Sequence, residues 1–209
     1  MIPDSLLDEI ADALVEPGYW ISDRAIPVDI GTGLQGAFEM LQAEEFKVAG
    51  IGRQTDFQLE EKIRADKIHW ISANSPETTQ FLQWMDALKA GLNRRLFMGL
   101  FDYESHFAHY PVGAFYKKHL DAFRAKGGQP SSNRVLSTVY YLNESWLPEN
   151  GGELLIYNEA DSAVVETVQP TFGRLVIFLS EKFPHEVLPA NRERKSIAGW
   201  FRVNEGRLS

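Results

Sequence analysis

Apolar residues at Leu6, Leu7, Ile10 and Leu14 recur at the three-to-four spacing of a helix buried along one face, and Pro17-Gly18 stops it. A second helix is expected over about residues 29 to 43, although Gly31, Gly33 and Gly36 weaken it. The next stretch, "EFKVAGIGRQTDFQLEEKIRAD", mixes polarities without a period. It reads as a strand edge leading into a long loop over about residues 49 to 62, of the kind that covers a site. "GIGRQTDF" lacks the lysine and following helix of a phosphate loop. "KIHWIS" is a short strand, and "NSPETTQFLQWMDALKAGLNRRLF" is the strongest helix of the chain. Ser75 caps that helix, Pro76 opens it, and Phe81, Leu82, Met85, Leu88 and Leu92 form its apolar stripe.

From Phe101 the period shortens to that of strands. "YESHFAHY", "AFYKKHLD", "VLSTVYYLN", "GELLIYN", "AVVETV", "RLVIFLS", "HEVLPA" and "SIAGWFRV" are short, rich in aromatic and β-branched residues, and separated by turn formers. Helices first and strands afterwards predict an α+β, mainly β protein: a double-stranded β-helix (jelly roll) buttressed by N-terminal helices. The expected organisation is one domain over residues 1–209, with 1–100 as helical support and covering loop and 101–203 as the β-helix core.

The chain has 209 residues, ample for a sizeable core. Its net charge of −8 argues against general affinity for nucleic acid or anionic membranes, which need clustered lysine and arginine. There is no cysteine, so a metal would take nitrogen and oxygen ligands. That composition fits a reducing compartment. The first residues carry Asp4, Asp8, Glu9 and Asp12 and no basic residue before Arg24, unlike a secretory leader. The expectation is a cytoplasmic protein with no membrane span.

Of five histidines, His119 stands two residues before Asp121 in a strand-like segment. Alternate residues of a strand share a face, so the two side chains would lie together. His185, in "FPHEVLPA", could return beside them if the strands roll up. Two histidines and one carboxylate form the facial triad of non-haem iron(II) oxygenases. Arg194, Ser196, Ala198 and Trp200 share one face of the last strand, so Arg194 would point inward and could grip a carboxylate through two hydrogen bonds. Lys195 would face away. His69, His106 and His109 are not assigned to metal: His106 and His109 fall on opposite strand faces, and His69 reads as a structural strand residue.

Taken in order, "YPVGAFYKKHLDAFR", "RVLSTVYYLNESW", "NGGELLIY", "GRLVIFLS" and "PHEVLPANRERKSIAGWFR" resemble the 2-oxoglutarate-dependent iron(II) oxygenases of the prolyl hydroxylase type. The group joins bacterial prolyl hydroxylases and the animal oxygen-sensing enzymes, and "KIRADKIHWI" extends the likeness to roughly residues 45–203. The resemblance implies iron ligands at His119, Asp121 and His185. It implies that Arg194, helped by Tyr141, holds the distal carboxylate of 2-oxoglutarate, with Tyr110 and Trp200 lining that pocket. Tyr116, Arg134 and Asp66 would serve the substrate side, Asp66 pairing with Arg134 to tie the covering loop to the barrel. The cofactors implied are iron(II) and 2-oxoglutarate, with ascorbate as an accessory.

The implied reaction uses O2 to hydroxylate a prolyl residue of a protein, releasing succinate and CO2. The bacterial members make elongation factor Tu the candidate substrate. The turn after Tyr110 and the connection from Asp121 to Arg134 depart from the animal enzymes, and both touch the pocket entrance. Replacing Arg194 by alanine is expected to weaken 2-oxoglutarate binding with little effect on folding. Two alternatives stay open: a related oxygenase acting on another residue or a small molecule, and a non-catalytic β-barrel module holding zinc or no metal.

Overall fold

A computed structural model describes residues 2–48, 63–122 and 133–204. The expected covering loop, with its "GIGRQTDF" segment, and most of the connection from Asp121 to Arg134 lie outside the described residues.

Helices α1 (Asp4–Val15), α2 (Val28–Met40) and α3 (Pro76–Leu96) form where the apolar periodicity predicts them. Ser75 caps α3: its hydroxyl accepts from the Thr78 amide at 3.2 Å. Gly31, which counted against a helix, has a packing reason. A Cβ there would lie 2.3 Å from the Tyr140 hydroxyl, so the missing side chain lets α2 seat on the sheet. Gly91 plays the same part between α3 and Leu7 of α1.

The strands are β1 (Tyr19–Ser22), β2 (Lys47–Val48), β3 (Lys67–Trp70), β4 (Leu100–Tyr110), β5 (Tyr116–His119) and β6 (Arg134–Tyr141), followed by β7 (Leu154–Tyr157), β8 (Val164–Val168), β9 (Leu175–Leu179), β10 (His185–Val187) and β11 (Arg194–Val203). A seven-stranded sheet runs β1-β9-β6-β11-β4-β3-β2, and a four-stranded sheet runs β5-β10-β7-β8. Counting eight strands from β4, the first, eighth, third and sixth share the larger sheet, and the second, seventh, fourth and fifth form the smaller. All pairings between these strands are antiparallel, which is the jelly-roll arrangement of a double-stranded β-helix. Strand β1 was not expected; it extends the larger sheet by pairing with β9.

The larger sheet is apolar on both faces, which explains why its central strands read as continuous runs rather than strict alternation. Its outer face buries Phe107, Leu136, Tyr140, Ile177, Ile197 and Phe201 against the helices. Its inner face turns Ala108, Tyr110, Tyr141, Val176 and Phe178 toward the smaller sheet, which contributes Leu154, Ile156 and Val187. Between these layers the inner face also carries polar side chains, and they define the site.

Candidate metal centre

His119 and His185 are cross-strand partners on β5 and β10. Each ring is fixed from behind. His119 Nδ1 donates to the Lys117 carbonyl at 2.8 Å, and His185 Nδ1 donates to the Phe183 carbonyl at 3.0 Å. A carbonyl only accepts, so each Nδ1 carries a proton, and Nε2, the atom turned toward Asp121, is the one left to serve as a metal ligand. Tyr116 stacks on His119 with ring centroids 3.6 Å apart, and Phe178 packs edge-on to His185.

Asp121 lies two residues beyond His119, as anticipated, but just past the end of β5 rather than inside it. Its Oδ1 is 3.6 Å from His119 Nε2 and its Oδ2 is 3.6 Å from His185 Nε2. The three ligand atoms all lie within 4.8 Å of one another. Ser137 on β6 donates to Asp121 Oδ2 at 2.6 Å, and its hydroxyl meets that of Ser180 at 2.9 Å. Burial works to raise the Asp121 pKa, but His185, His119 and the Ser137 hydrogen bond outweigh it and hold the carboxyl well below its ordinary range. Burial and the neighbouring His119 push His185 down to about 4, so its imidazole is a neutral donor at pH 7.

Deeper in the barrel, Arg194 is 1% exposed. Its Nε donates to the Gly152 carbonyl at 2.9 Å and its Nη1 to Ser196 Oγ at 3.3 Å. Its guanidinium lies 4.9 Å from the Tyr110 ring centroid and 5.0 Å from that of Tyr141. Arg194 Nη2 and the Tyr141 hydroxyl are buried without a partner among the described residues. Unmet donors on a buried arginine and tyrosine, in the same barrel as the triad, are what a ligand carboxylate would satisfy. The anchoring to Gly152 changes one expectation: truncating Arg194 would also leave a cavity and an unmet carbonyl, so folding would not be spared. Lys195 points the other way, toward Glu39 and the ring of Phe38 on α2.

Trp200 is buried on the same inner face, with Arg134 stacked 3.6 Å above its ring. The expected pairing of Asp66 with Arg134 does not occur. Arg134 donates to Glu104 at 2.9 Å, because β4 and β6 flank β11 at this level. Asp66 is fully buried and takes both bonds of Arg64, each at 2.7 Å. Arg64 in turn covers the Tyr116 ring at 4.4 Å. Three residues of this region escaped sequence reading, Arg64, Glu104 and Ser137, and a fourth, His106, was read only as not binding metal. Each becomes visible through strand register, which short motifs do not carry.

A jelly roll holding two histidines and one carboxylate around a common point is the facial-triad architecture of non-haem iron(II) oxygenases. The sequence pattern described as the 2OG-Fe(II) oxygenase superfamily matches residues 105–202, and the chain belongs to that family. It is similar to a Pseudomonas putida prolyl-4-hydroxylase structure, with 40% identity, a TM-score of 0.82, and coverage of 95% of this chain and 99% of that one. A prolyl hydroxylase from Trichoplax adhaerens, in complex with a hypoxia inducible factor oxygen degradation domain peptide fragment, aligns at 28% identity and a TM-score of 0.81. That match covers 95% of this chain and 90% of the other.

Egl nine homolog 1 from Homo sapiens is 34% identical over 167 residues, which are 72% of this chain and 37% of that protein. The chain thus spans less than two thirds of the length of the curated relatives it matches. No helix among the described residues is long and apolar enough to cross a membrane.

Proposed function

We propose that the protein is an iron(II)- and 2-oxoglutarate-dependent dioxygenase that hydroxylates a prolyl residue of a protein substrate. The observation that carries the reading is the convergence of His119, Asp121 and His185 in the same barrel as the unmet Arg194 Nη2 and Tyr141 hydroxyl. A structural zinc site has no use for a buried carboxylate clamp, which disfavours a non-catalytic module.

In this reading His119 and His185 present Nε2 to the metal, and Asp121, kept ionised and oriented by Ser137, completes the facial set. Arg194 and Tyr141 hold the far carboxylate of 2-oxoglutarate, while Tyr110 packs over the guanidinium. When bound, the iron and 2-oxoglutarate supply the oxidising chemistry: O2 is consumed, 2-oxoglutarate becomes succinate and CO2, and one oxygen atom enters a substrate C–H bond. Ascorbate serves as an accessory reductant.

The protein contributes placement, charge and a dry cavity. Tyr116, Trp200 and Arg134 line the approach from the mouth, with Asp66 holding Arg64 against Tyr116. A peptidyl proline as substrate is supported by the similarity to prolyl hydroxylases, one of them in complex with a peptide. Elongation factor Tu is the proposed partner, as the sequence resemblance to bacterial prolyl hydroxylases implies. The cysteine-free composition supports a cytoplasmic setting.

The test is anaerobic titration of purified protein with iron(II) and 2-oxoglutarate, followed by peptide hydroxylation read by mass spectrometry. A visible charge-transfer band that requires both components and disappears in His119→Ala is expected. Zinc retention with no such band would return the protein to the binding-module class. A band without hydroxylation of any peptidyl proline would leave an oxygenase with a different substrate.

A further inference from the structure

His106 lies on β4 and is 2% exposed, yet neither ring nitrogen has a partner among the described residues. Strand register fixes where it sits. Trp70, His106, Ala198 and Val139 form one row across the inner face of β3, β4, β11 and β6. The row on one side contains Ala108, Ser196 and Tyr141, the level of the carboxylate clamp. On the other side the row contains Glu104, Trp200 and Ser137, the level at which Ser137 holds Asp121. Rows of one face are about 6.8 Å apart, so His106 stands between clamp and metal, across the sheet from Val139. Its neighbour in the row is Ala198, whose methyl group offers it no hydrogen-bond partner.

Two indoles flank the imidazole. Trp70 meets it edge-on at 5.1 Å between centroids, and Trp200 lies at 5.4 Å. Trp70 is 51% exposed, so the indole packed against the buried imidazole also reaches the surface. The indole Nε1 of Trp200 is a second buried polar atom without a partner. His106 is not a fourth metal ligand, because the group able to hold an ion comprises His119, Asp121 and His185 alone among the described residues. Burial, with Arg64 and Arg134 nearby, lowers its pKa to about 3, so the ring is neutral at pH 7 and carries one donor and one acceptor.

That pairing of functions selects the ligand. Carboxylate and keto oxygens only accept, so 2-oxoglutarate would leave the acceptor nitrogen of His106 unmet. A peptide unit offers both an N–H and a carbonyl. Trp200 Nε1–H needs a carbonyl and nothing more. An exposed tryptophan beside it is also the residue type that anchors polypeptide partners.

We propose that His106 positions the peptide substrate: its imidazole, together with the indole N–H of Trp200, hydrogen-bonds main-chain groups of the segment that carries the target residue. The assignment rests on the reading of the protein as a peptidyl hydroxylase. It makes His106 a specificity-determining residue that acts on the peptide and leaves 2-oxoglutarate to the Arg194 clamp.

The test uses a degenerate peptide library around a fixed proline, together with peptides tiling elongation factor Tu, on the iron(II)-loaded enzyme. The best-hydroxylated peptide is then used to measure KM, and anaerobic calorimetry gives its Kd. His106→Phe keeps an aromatic ring between the two indoles and removes both hydrogen-bonding atoms. It is expected to raise peptide KM and Kd about tenfold, while the charge-transfer band and the 2-oxoglutarate Kd stay as in the wild type. His106→Gln restores a donor and an acceptor and should recover most of the loss. Trp200→Phe, which keeps a ring and removes one N–H, should cost several-fold in peptide affinity.

Unchanged peptide affinity in His106→Phe, with the band intact, overturns the assignment. A loss confined to 2-oxoglutarate affinity overturns it as well, by making His106 a cosubstrate group. If the wild type hydroxylates no peptide in the set, the peptidyl hydroxylase reading fails and this assignment falls with it.

Discussion

The hydroxyl of Ser137 donates to Asp121 Oδ2 at 2.6 Å from a strand of the opposite sheet. Asp121 sits beyond the end of β5, where no ladder bond fixes its side chain, so Ser137 supplies the orientation. Loss of such an outer partner typically weakens metal binding about 10–100-fold. Ser137→Ala is expected to lower iron(II) affinity by about tenfold, with Ser180 left to rearrange, as measured by competition with a chromogenic chelator. An unchanged affinity would show that the Asp121 carboxylate is held by the histidines alone.

The clamp should be sensitive to geometry more than to charge. Arg194→Lys retains the cation but cannot offer two parallel donors or stack between Tyr110 and Tyr141. Its 2-oxoglutarate Kd is expected to rise by about 10–100-fold, and that of Tyr141→Phe by about tenfold, as for a lost charge-assisted hydrogen bond of roughly 1.5–3 kcal/mol. Titration of the charge-transfer band reads both. Equal affinities in Arg194→Lys and the wild type would exclude a bidentate grip.

Gly152 is a backbone device for the same clamp. Its φ is +74°, and a Cβ there would lie 2.9 Å from Ala190 Cβ and 3.3 Å from Arg194 Cδ. Gly152→Ala is therefore strained twice, by conformation and by contact, and should destabilise the protein by about 1–3 kcal/mol. It should also weaken 2-oxoglutarate binding, because the Gly152 carbonyl is the acceptor for Arg194 Nε. Urea unfolding and cosubstrate titration check the two effects separately.

Acid should destabilise the protein partly through His106. Burial depresses its pKa from 6.5 to about 3 in the folded state. Above pH 6.5 the ring is neutral both folded and unfolded, and it contributes no pH dependence. As pH falls from 6.5 toward 3, the unfolded chain takes up a proton that the folded chain refuses, so stability is lost across that window. The metal-free His106→Phe variant should lose less stability than the wild type between pH 7 and pH 5. Parallel urea curves at both pH values for the two proteins would contradict this.

Much of the site was legible in the chain, for reasons that can be named. His119 and Asp121 are two apart, and Arg194 alternates with Ser196, Ala198 and Trp200, so a period of two assigns them faces without a structure. The groups that escaped are those whose meaning depends on register between distant strands. Glu104 matters because β11 brings β4 and β6 to the same level, where Arg134 reaches it rather than Asp66. Ser137 matters because β6 passes over Asp121. His106, set aside because it and His109 fall on opposite strand faces, gains its interest from having no partner among the described residues. The strand Tyr19–Ser22 was hidden behind the stop signal Pro17-Gly18, which reads equally well as the start of a loop.

Strand β5 is four residues long and stands at the end of the smaller sheet, while β10, its partner, is flanked on both sides. On its other side the Lys117 amide of β5 donates to the Ile63 carbonyl at 2.8 Å, and the Ala65 amide donates to the carbonyl of Phe115, just before the strand, at 3.0 Å. A metal bound between His119 and His185 would fasten this outermost rung to the interior of the barrel. Fraying of β5 would then require the ion to let go, which adds the free energy of metal release to that of opening a short ladder. The amides of Tyr116 to His119 thereby become a gauge of occupancy. Their exchange with deuterated solvent should slow as metal is added, long before any change in global melting is needed to see it.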